Sequence, residues 1–145
     1  MITSISYLEI PLVVPKASIM KIELQRSYDI IGKAKSSPRF LIDRLWPRGL
    51  KKEDLQPDQW VKDLSPSNDL RKWYHLQISG EEKTAGAWNE FRKRYFKELD
   101  EKKSELDSFL SLIEKYKKIT LIYSSKEREA NNATVLQEYL MKVLK

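Results

Sequence analysis

Three segments of the chain have the hydrophobic pattern of β-strands. Residues 21–29 alternate between apolar and polar side chains, which predicts a strand with one buried face. Residues 40–43 begin with consecutive apolar side chains and residues 119–123 are almost wholly apolar, which is typical of strands buried on both faces. Residues 30–39 contain glycine, serine and proline, and this composition predicts a loop between the first two strands.

The middle of the chain has the spacing of helices. Apolar residues three or four apart predict a short helix that begins near Pro57, because proline is tolerated in the first helical turn. Ser65 followed by Pro66 is a typical N-cap and first-turn pair, and it predicts a second helix that ends near His75. The polar segment 77–84 contains a glycine and predicts a loop.

Longer helices are predicted in the second half. Residues 85–116 carry an apolar stripe that four consecutive charged residues interrupt, and this interruption favours two helices over one continuous helix of about 30 residues. We expect Ser104 to cap the second of these helices, because Asp107 follows at the spacing of a capping box. The pair Asn131-Asn132 predicts the start of a final helix.

The order of these elements predicts an α/β fold that is rich in helix. Two buried strands separated by helices favour a parallel pair joined by a right-handed crossover. We therefore expect a small, mostly parallel sheet of about three or four strands, flanked by helices. Because parallel neighbours end at the same edge of a sheet, the residues after 40–43 should lie near those after 119–123.

The first 19 residues differ from the rest of the chain. They contain a β-prone run that Pro11 and Pro15 interrupt, and no charged segment of a secretory signal precedes this run. Met20 is followed at once by a regular strand pattern. We expect a single α/β domain over residues 20–145 and an N-terminal extension over residues 1–19. The extension would pack as an edge strand, or as an arm that links two copies in a homo-oligomer.

The composition narrows the class of protein. The chain has 145 residues, 41% of them hydrophobic, which suits one ordered domain. It has no cysteine, so a disulfide framework, a zinc-thiolate site and a cysteine nucleophile are excluded. No apolar run approaches the roughly 20 residues of a membrane span. We expect a cytoplasmic protein without a membrane partner. No residue spacing predicts a metal site or a cofactor.

The net charge of +6 is divided evenly between the two halves of the chain. A distributed positive charge is compatible with nucleic-acid binding, but it is also the ordinary state of a solvated surface of mixed charge. Charge alone therefore does not identify a partner.

Charged residues follow the buried segment 40–43 directly, and they are the first candidates for a site. Arg44, Arg48 and the later Arg71 offer planar guanidinium groups that suit a carboxylate or a phosphate. The structural alternative is that Arg44 pairs with a nearby aspartate and braces the turn. These residue types predict a site that prefers anions.

Polar residues follow the segment 119–123 as well. Ser124, Ser125 and Lys126 precede the predicted final helix, and hydroxyl groups, a cation and free helix amides together attract anions. The stretch has no glycine, unlike a true phosphate-binding loop, so ordinary loop and capping chemistry is an equal alternative.

Two further residues could take part in chemistry. Asp43, at the end of its strand, could act as a general base or orient Arg44. His75 is the sole histidine, and without partners at a recognisable spacing it is better interpreted as the end of a helix. The four tryptophans lie on apolar stripes or turns and fit a core, with Trp46 as the exception because it lies beside two arginines.

Several blocks of sequence resemble one family. They are DRLWPRG at residues 43–49, WVKDLSPS at 60–67, LRKW at 70–73, FRKRY at 91–95, TLIYSSK at 120–126 and NNA at 131–133. In order and spacing they resemble the domain of unknown function 488 family of YeaO-like uncharacterised proteins, over residues 20–144. The resemblance implies a small cytoplasmic α/β protein and no particular reaction. Some branches carry a cysteine after the last core strand, where this chain has serine, so thiol chemistry is not carried over.

Three functional hypotheses compete. The first is a domain that binds a small anionic ligand, bearing a phosphate or a carboxylate, between the ends of the buried strands. The second is an enzyme at the same cleft, with Asp43 as its base and the arginines as electrostatic stabilisers. The third is nucleic-acid binding by a basic face, which predicts a steep dependence of affinity on salt. We rank the ligand-binding domain first.

Overall fold

The computed structural model describes residues 20–80 and 85–144. The predicted N-terminal extension lies outside these residues, as does the end of the predicted loop 77–84. The described residues form an α/β fold that is rich in helix, as predicted. The strands are β1 (Lys21–Arg26), β2 (Arg39–Leu41), β3 (Gln59–Trp60) and β4 (Lys118–Tyr123). The helices are α1 (Lys52–Leu55), α2 (Asn68–Ser79), α3 (Ala87–Asp100), α4 (Lys103–Ile113) and α5 (Asn132–Val143).

The four strands form one parallel sheet in the order β1-β4-β2-β3. The central strand β4 pairs with β1 on one side and with β2 on the other, where Phe40 lies opposite Leu121. After β2 the chain continues to β3, at one edge of the sheet. After β4 it continues to α5, which packs on β4 and β1. Neighbouring parallel strands whose connections diverge leave a crevice at their carboxyl ends.

Hydrophobic side chains cover both faces of the sheet. Successive residues of a strand point to opposite faces, so Phe40 and Leu121 join the large core beneath the long helices. Leu41 and Ile122 belong to a smaller core on the other face, together with Leu55 of α1. None of the helices in the described residues is long and apolar enough to cross a membrane.

The segment before α2 was predicted wrongly. No helix begins at Pro57; residues 59–60 instead form β3, and the amide of Val61 donates to the carbonyl of Leu41. A short 3-10 turn, Lys62–Leu64, follows. Pairing with β2 overrides the helical spacing, because a two-residue strand is too short to show an alternating pattern.

Two predicted helix caps were also wrong. The cap of α2 is Ser67, whose side chain accepts from the amide of Leu70, whereas Ser65 donates to the carbonyl of Lys62. This helix continues four residues past His75. Helix α4 begins before Ser104, without a side-chain cap. The two helices predicted in residues 85–116 and the Asn131 cap of α5 are confirmed.

Candidate functional site

A cavity of about 650 Å³ opens at the carboxyl ends of β2 and β4. All of the side chains that the sequence suggested for a site line this cavity: Asp43, Arg44, Arg48, Arg71, Ser124, Ser125 and Lys126. The parallel pairing of β2 with β4 brings the two loops together, and α2 supplies Arg71. The geometry that the strand order predicted is therefore present, whereas the role of each residue in binding stays a prediction.

Asp43 lines the cavity and joins three segments of the chain. One carboxylate oxygen accepts from the amide of Ser124 at 2.9 Å, and the other accepts from Asn132 Nδ2 at 2.8 Å. Its backbone carbonyl accepts from Trp60 Nε1 at 2.7 Å. Burial raises the pKa of Asp43, although the hydrogen bonds from Asn132 and Ser124 and the charge of Arg71 oppose this rise.

Asn132 also lines the cavity, although the sequence alone indicates only a role in starting α5. Its amide group reaches back to the Asp43 carboxylate, whereas Asn131 caps the helix by accepting from the amide of Thr134. A pair of asparagines signals a helix start, but only the sheet topology shows that the second asparagine faces the end of β2.

The arginines of the cavity differ in what they bind. Arg44 Nε donates to the carbonyl of Pro66 at 2.9 Å, so this residue braces the start of α2 through a carbonyl and not through an aspartate. Arg71 Nε is buried and has no hydrogen-bond partner among the described residues, while its Nη2 lies 3.4 Å from Asn68 Oδ1. Arg48 is exposed, and its carbonyl accepts from the hydroxyl of Tyr28.

The loop after β4 uses most of its polar groups internally. The hydroxyl of Ser124 lies 2.7 Å from that of Ser27, and the carbonyl of Ser125 accepts from Arg26 Nε. The hydroxyl of Ser125 accepts from the amide of Glu127. Lys126 is exposed at the cavity. Asp43 takes the amide of Ser124 in this loop and the side chain of Asn132 at the start of α5, while anion binding by the loop stays a prediction.

Aromatic and aliphatic side chains form the cavity wall. Tyr74 of α2 stacks on Phe91 of α3, with ring centroids 4.3 Å apart. The loop after β2 also contributes to the lining, and there Trp46 packs edge-on against Trp60 with ring centroids 5.5 Å apart. Trp46 Nε1 donates to the carbonyl of Leu50, so this indole is part of the small core as well as of the cavity.

His75 also lines the cavity, from an exposed position inside α2. Within the described residues, no three His, Asp or Glu side chains lie close enough together to hold a metal ion.

Known proteins resemble this chain along most of its length. Residues 21–145 match the model described as the inactive DUF488-N3 subclade. The uncharacterized protein YeaO of Escherichia coli is 38% identical over 121 residues, which are 83% of this chain and 97% of that protein. Uncharacterized proteins of Mycobacterium bovis and Mycobacterium tuberculosis are 37% identical over 79 residues, or 54% of this chain and 60% of theirs. No solved structure matches the chain. The chain belongs to the DUF488 family of YeaO-like proteins.

Proposed function

We propose that this protein binds a small anionic ligand in the cavity at the carboxyl ends of β2 and β4. The observation that carries the proposal is Arg71, a cavity-lining cation whose Nε is buried without a partner among the described residues. A buried donor left unpaired costs about 1–3 kcal/mol, and an acceptor in the cavity would remove that cost after a small movement of the side chain.

The charges around the cavity support an anion. Four cationic side chains line it, Arg44, Arg48, Arg71 and Lys126, against the two carboxylates Asp43 and Glu127. None of the four forms an ion pair with another described residue. Elsewhere on the surface, Arg92, Arg94 and Arg128 each pair with a carboxylate. The positive charge of the cavity is thus left for a ligand.

The contacts of Asp43 favour binding over turnover. A general base takes up a proton during the reaction, and protonation weakens the hydrogen bonds that its carboxylate accepts. Each oxygen of Asp43 already accepts a hydrogen bond, from Ser124 or from Asn132, and these bonds fix the end of β2 against α5. The family description, an inactive subclade, also favours a ligand-binding protein over an enzyme.

The proposal is tested by thermal unfolding in the presence of phosphate, sulfate, small carboxylates and nucleotides. An anion present at 100 times its dissociation constant should stabilise the protein by about 2.7 kcal/mol. We expect Arg71→Ala to abolish this stabilisation and Arg71→Lys to weaken it, because lysine keeps the charge and loses the planar donors.

The matched control is Lys72→Ala, which removes an exposed positive charge from the adjacent position of α2. We expect this variant to respond to anions like the unchanged protein. The proposal fails if no anion stabilises the protein, or if Lys72→Ala lowers the response as much as Arg71→Ala does.

A further inference from the structure

The cavity is lined by an acidic and a basic side chain, Asp43 and Arg71, that do not pair with each other. Arg71 lies close enough to Asp43 for its charge to oppose the rise in the pKa of that carboxyl group. Among the ion pairs of the described residues, however, none joins these two side chains. Both line the same cavity. A ligand group that lies between them would meet a cation on one side and a carboxylate on the other.

Asp43 can accept more hydrogen bonds than it receives inside the protein. A carboxylate offers about four lone-pair sites on its two oxygens. Two of these sites are used, by the amide of Ser124 and by Asn132 Nδ2. The remaining capacity suits a donor from the ligand, and a charged donor would also offset the burial of the carboxylate.

Much of the remaining lining of the cavity is apolar. Tyr74 and Ile78 of α2 and Phe91 of α3 form one side of it, and Leu45 and Trp46 lie in the loop after β2. A volume of about 650 Å³ is within the usual range of small-molecule pockets. The cavity therefore combines two oppositely charged side chains, Asp43 and Arg71, with space for a large apolar group.

We propose that the ligand is an α-amino acid with a large apolar side chain. Its carboxylate binds Arg71, its ammonium group donates to Asp43, and its side chain packs against Tyr74 and Phe91. This inference rests on the proposed function, because it keeps the anion at Arg71 and adds a donor on the neighbouring carbon.

Charge balance distinguishes this class from simpler anions. An anion without a donor would place a second negative charge beside the carboxylate of Asp43, and like charges at short distance repel each other. An amine without a carboxylate would leave Arg71 unpaired. A zwitterion pairs with Asp43 and Arg71 at once and adds no net charge to the cavity.

The test is isothermal titration calorimetry with four probes that share one aromatic ring. They are L-phenylalanine, 3-phenylpropanoate without the amine, phenethylamine without the carboxylate, and L-3-phenyllactate with a hydroxyl in place of the amine. We expect L-phenylalanine to bind at least about tenfold more tightly than each of the other three, a difference of about 1.4 kcal/mol.

Variants of the two charged residues locate the effect. Asp43→Asn should weaken the binding of L-phenylalanine and leave that of 3-phenylpropanoate unchanged or tighter, since only the ammonium group needs the carboxylate. Arg71→Lys should weaken both probes, and Lys72→Ala neither. The comparison of probes on the unchanged protein needs no variant, so the test holds even if Asp43→Asn does not fold.

The outcomes separate this inference from the proposed function. If 3-phenylpropanoate binds as tightly as L-phenylalanine and Arg71→Lys weakens both, the anion site stands and the amino-acid assignment is wrong. If L-3-phenyllactate equals L-phenylalanine, the ammonium assignment is wrong. If none of the four probes binds while phosphate or sulfate stabilises the protein, the inference alone fails. If neither the four probes nor any anion has an effect, both fail.

Discussion

Asp43 shows how much one residue can do at the end of a strand. Its side chain holds the loop after β4 through Ser124 and the start of α5 through Asn132, and its carbonyl holds Trp60 of β3. The sequence marked this carboxylate as a candidate, because it follows a buried apolar run. It could not show that both oxygens would be used, since their donors lie more than 80 residues away along the chain.

The first prediction concerns the charge of Asp43. Burial raises its pKa above the ordinary value of 3.8, so the folded protein retains a proton that the unfolded chain has lost. The stability of the protein relative to Asp43→Asn should therefore fall as the pH rises from 3.8 to the raised pKa. The fall is at most about 1.4 kcal/mol per pH unit, and the difference should be constant at higher pH.

Urea unfolding of both proteins, at intervals between pH 4 and 8, measures this difference. Carboxyl groups with lowered pKa values, such as those of Asp58 and Glu138, titrate in both proteins and cancel in the comparison. A relative stability that rises with pH in this range would mean that the pKa of Asp43 is lowered in the folded state.

The arginines show where residue type stops being informative. Arg44 and Arg71 carry the same group, and the sequence marked both as candidates for anion binding. In the folded protein Arg44 donates to the carbonyl of Pro66, whereas Arg71 Nε has no partner in the described part of the chain. The structural role of Arg44 and the candidate binding role of Arg71 differ only because of where α2 lies, and the sequence does not show that position.

At the scale of elements, long periodic segments were predictable and short ones were not. The strand near residues 119–123 and the final helix are present because their hydrophobic patterns and the Asn131 cap are unambiguous. The sequence did not predict β3, because a strand of two residues is too short to show an alternating hydrophobic pattern. The sequence predicted Ser65 as the cap of α2, because Ser-Pro is a strong local signal. The actual cap is Ser67, whose side chain accepts from the amide of Leu70, and Ser67 also donates to the carboxylate of Glu98.

Packing between elements gives the second prediction. The hydroxyl of Tyr139 on α5 donates to Asp100 at the end of α3, at 2.7 Å. Burial and this hydrogen bond raise the pKa of Tyr139 to about 12. The substitution Tyr139→Phe removes this hydrogen bond and should lower the free energy of unfolding at pH 7 by about 0.5–1.5 kcal/mol.

The difference in stability between the unchanged protein and Tyr139→Phe should also change at alkaline pH. Between the ordinary pKa of 10 and about 12, the unfolded tyrosine ionises while the folded one stays neutral, so the unchanged protein loses stability there. Its advantage over Tyr139→Phe should therefore shrink across this range in denaturant unfolding. An advantage that stays constant from pH 9 to 12 would contradict the hydrogen bond to Asp100.

At the scale of the whole molecule, the topology assembles the site. The order β1-β4-β2-β3 inserts the last strand beside the second, which brings residues 43–48 next to residues 124–126. The sequence predicted this meeting from two buried strands separated by helices. It could not predict the apolar wall, because the stacking of Tyr74 on Phe91 depends on how α2 packs against α3.

The distribution of charge over the molecule is equally informative. The net charge of +6 is spread along the chain, and several surface arginines pair with carboxylates. The cations at the cavity, Arg44, Arg48, Arg71 and Lys126, do not pair with any carboxylate that the structure describes. This distribution of charge is the reason that we propose a small anion in this cavity and not a long polyanion across the surface.

The most direct test of the central claim is nuclear magnetic resonance of the arginine Nε–Hε groups in ¹⁵N-labelled protein during a titration with whichever of phosphate, sulfate, small carboxylates and nucleotides stabilises the protein most. Arg71→Lys assigns the Arg71 signal, and Arg94, whose Nε donates to Glu90 at 2.7 Å, serves as an internal control. We predict a saturable shift of the Arg71 signal, because its Nε–H gains an acceptor, with no change at Arg94. An Arg71 signal that does not move at saturating ligand, or that moves together with Arg94, would contradict anion binding at this site.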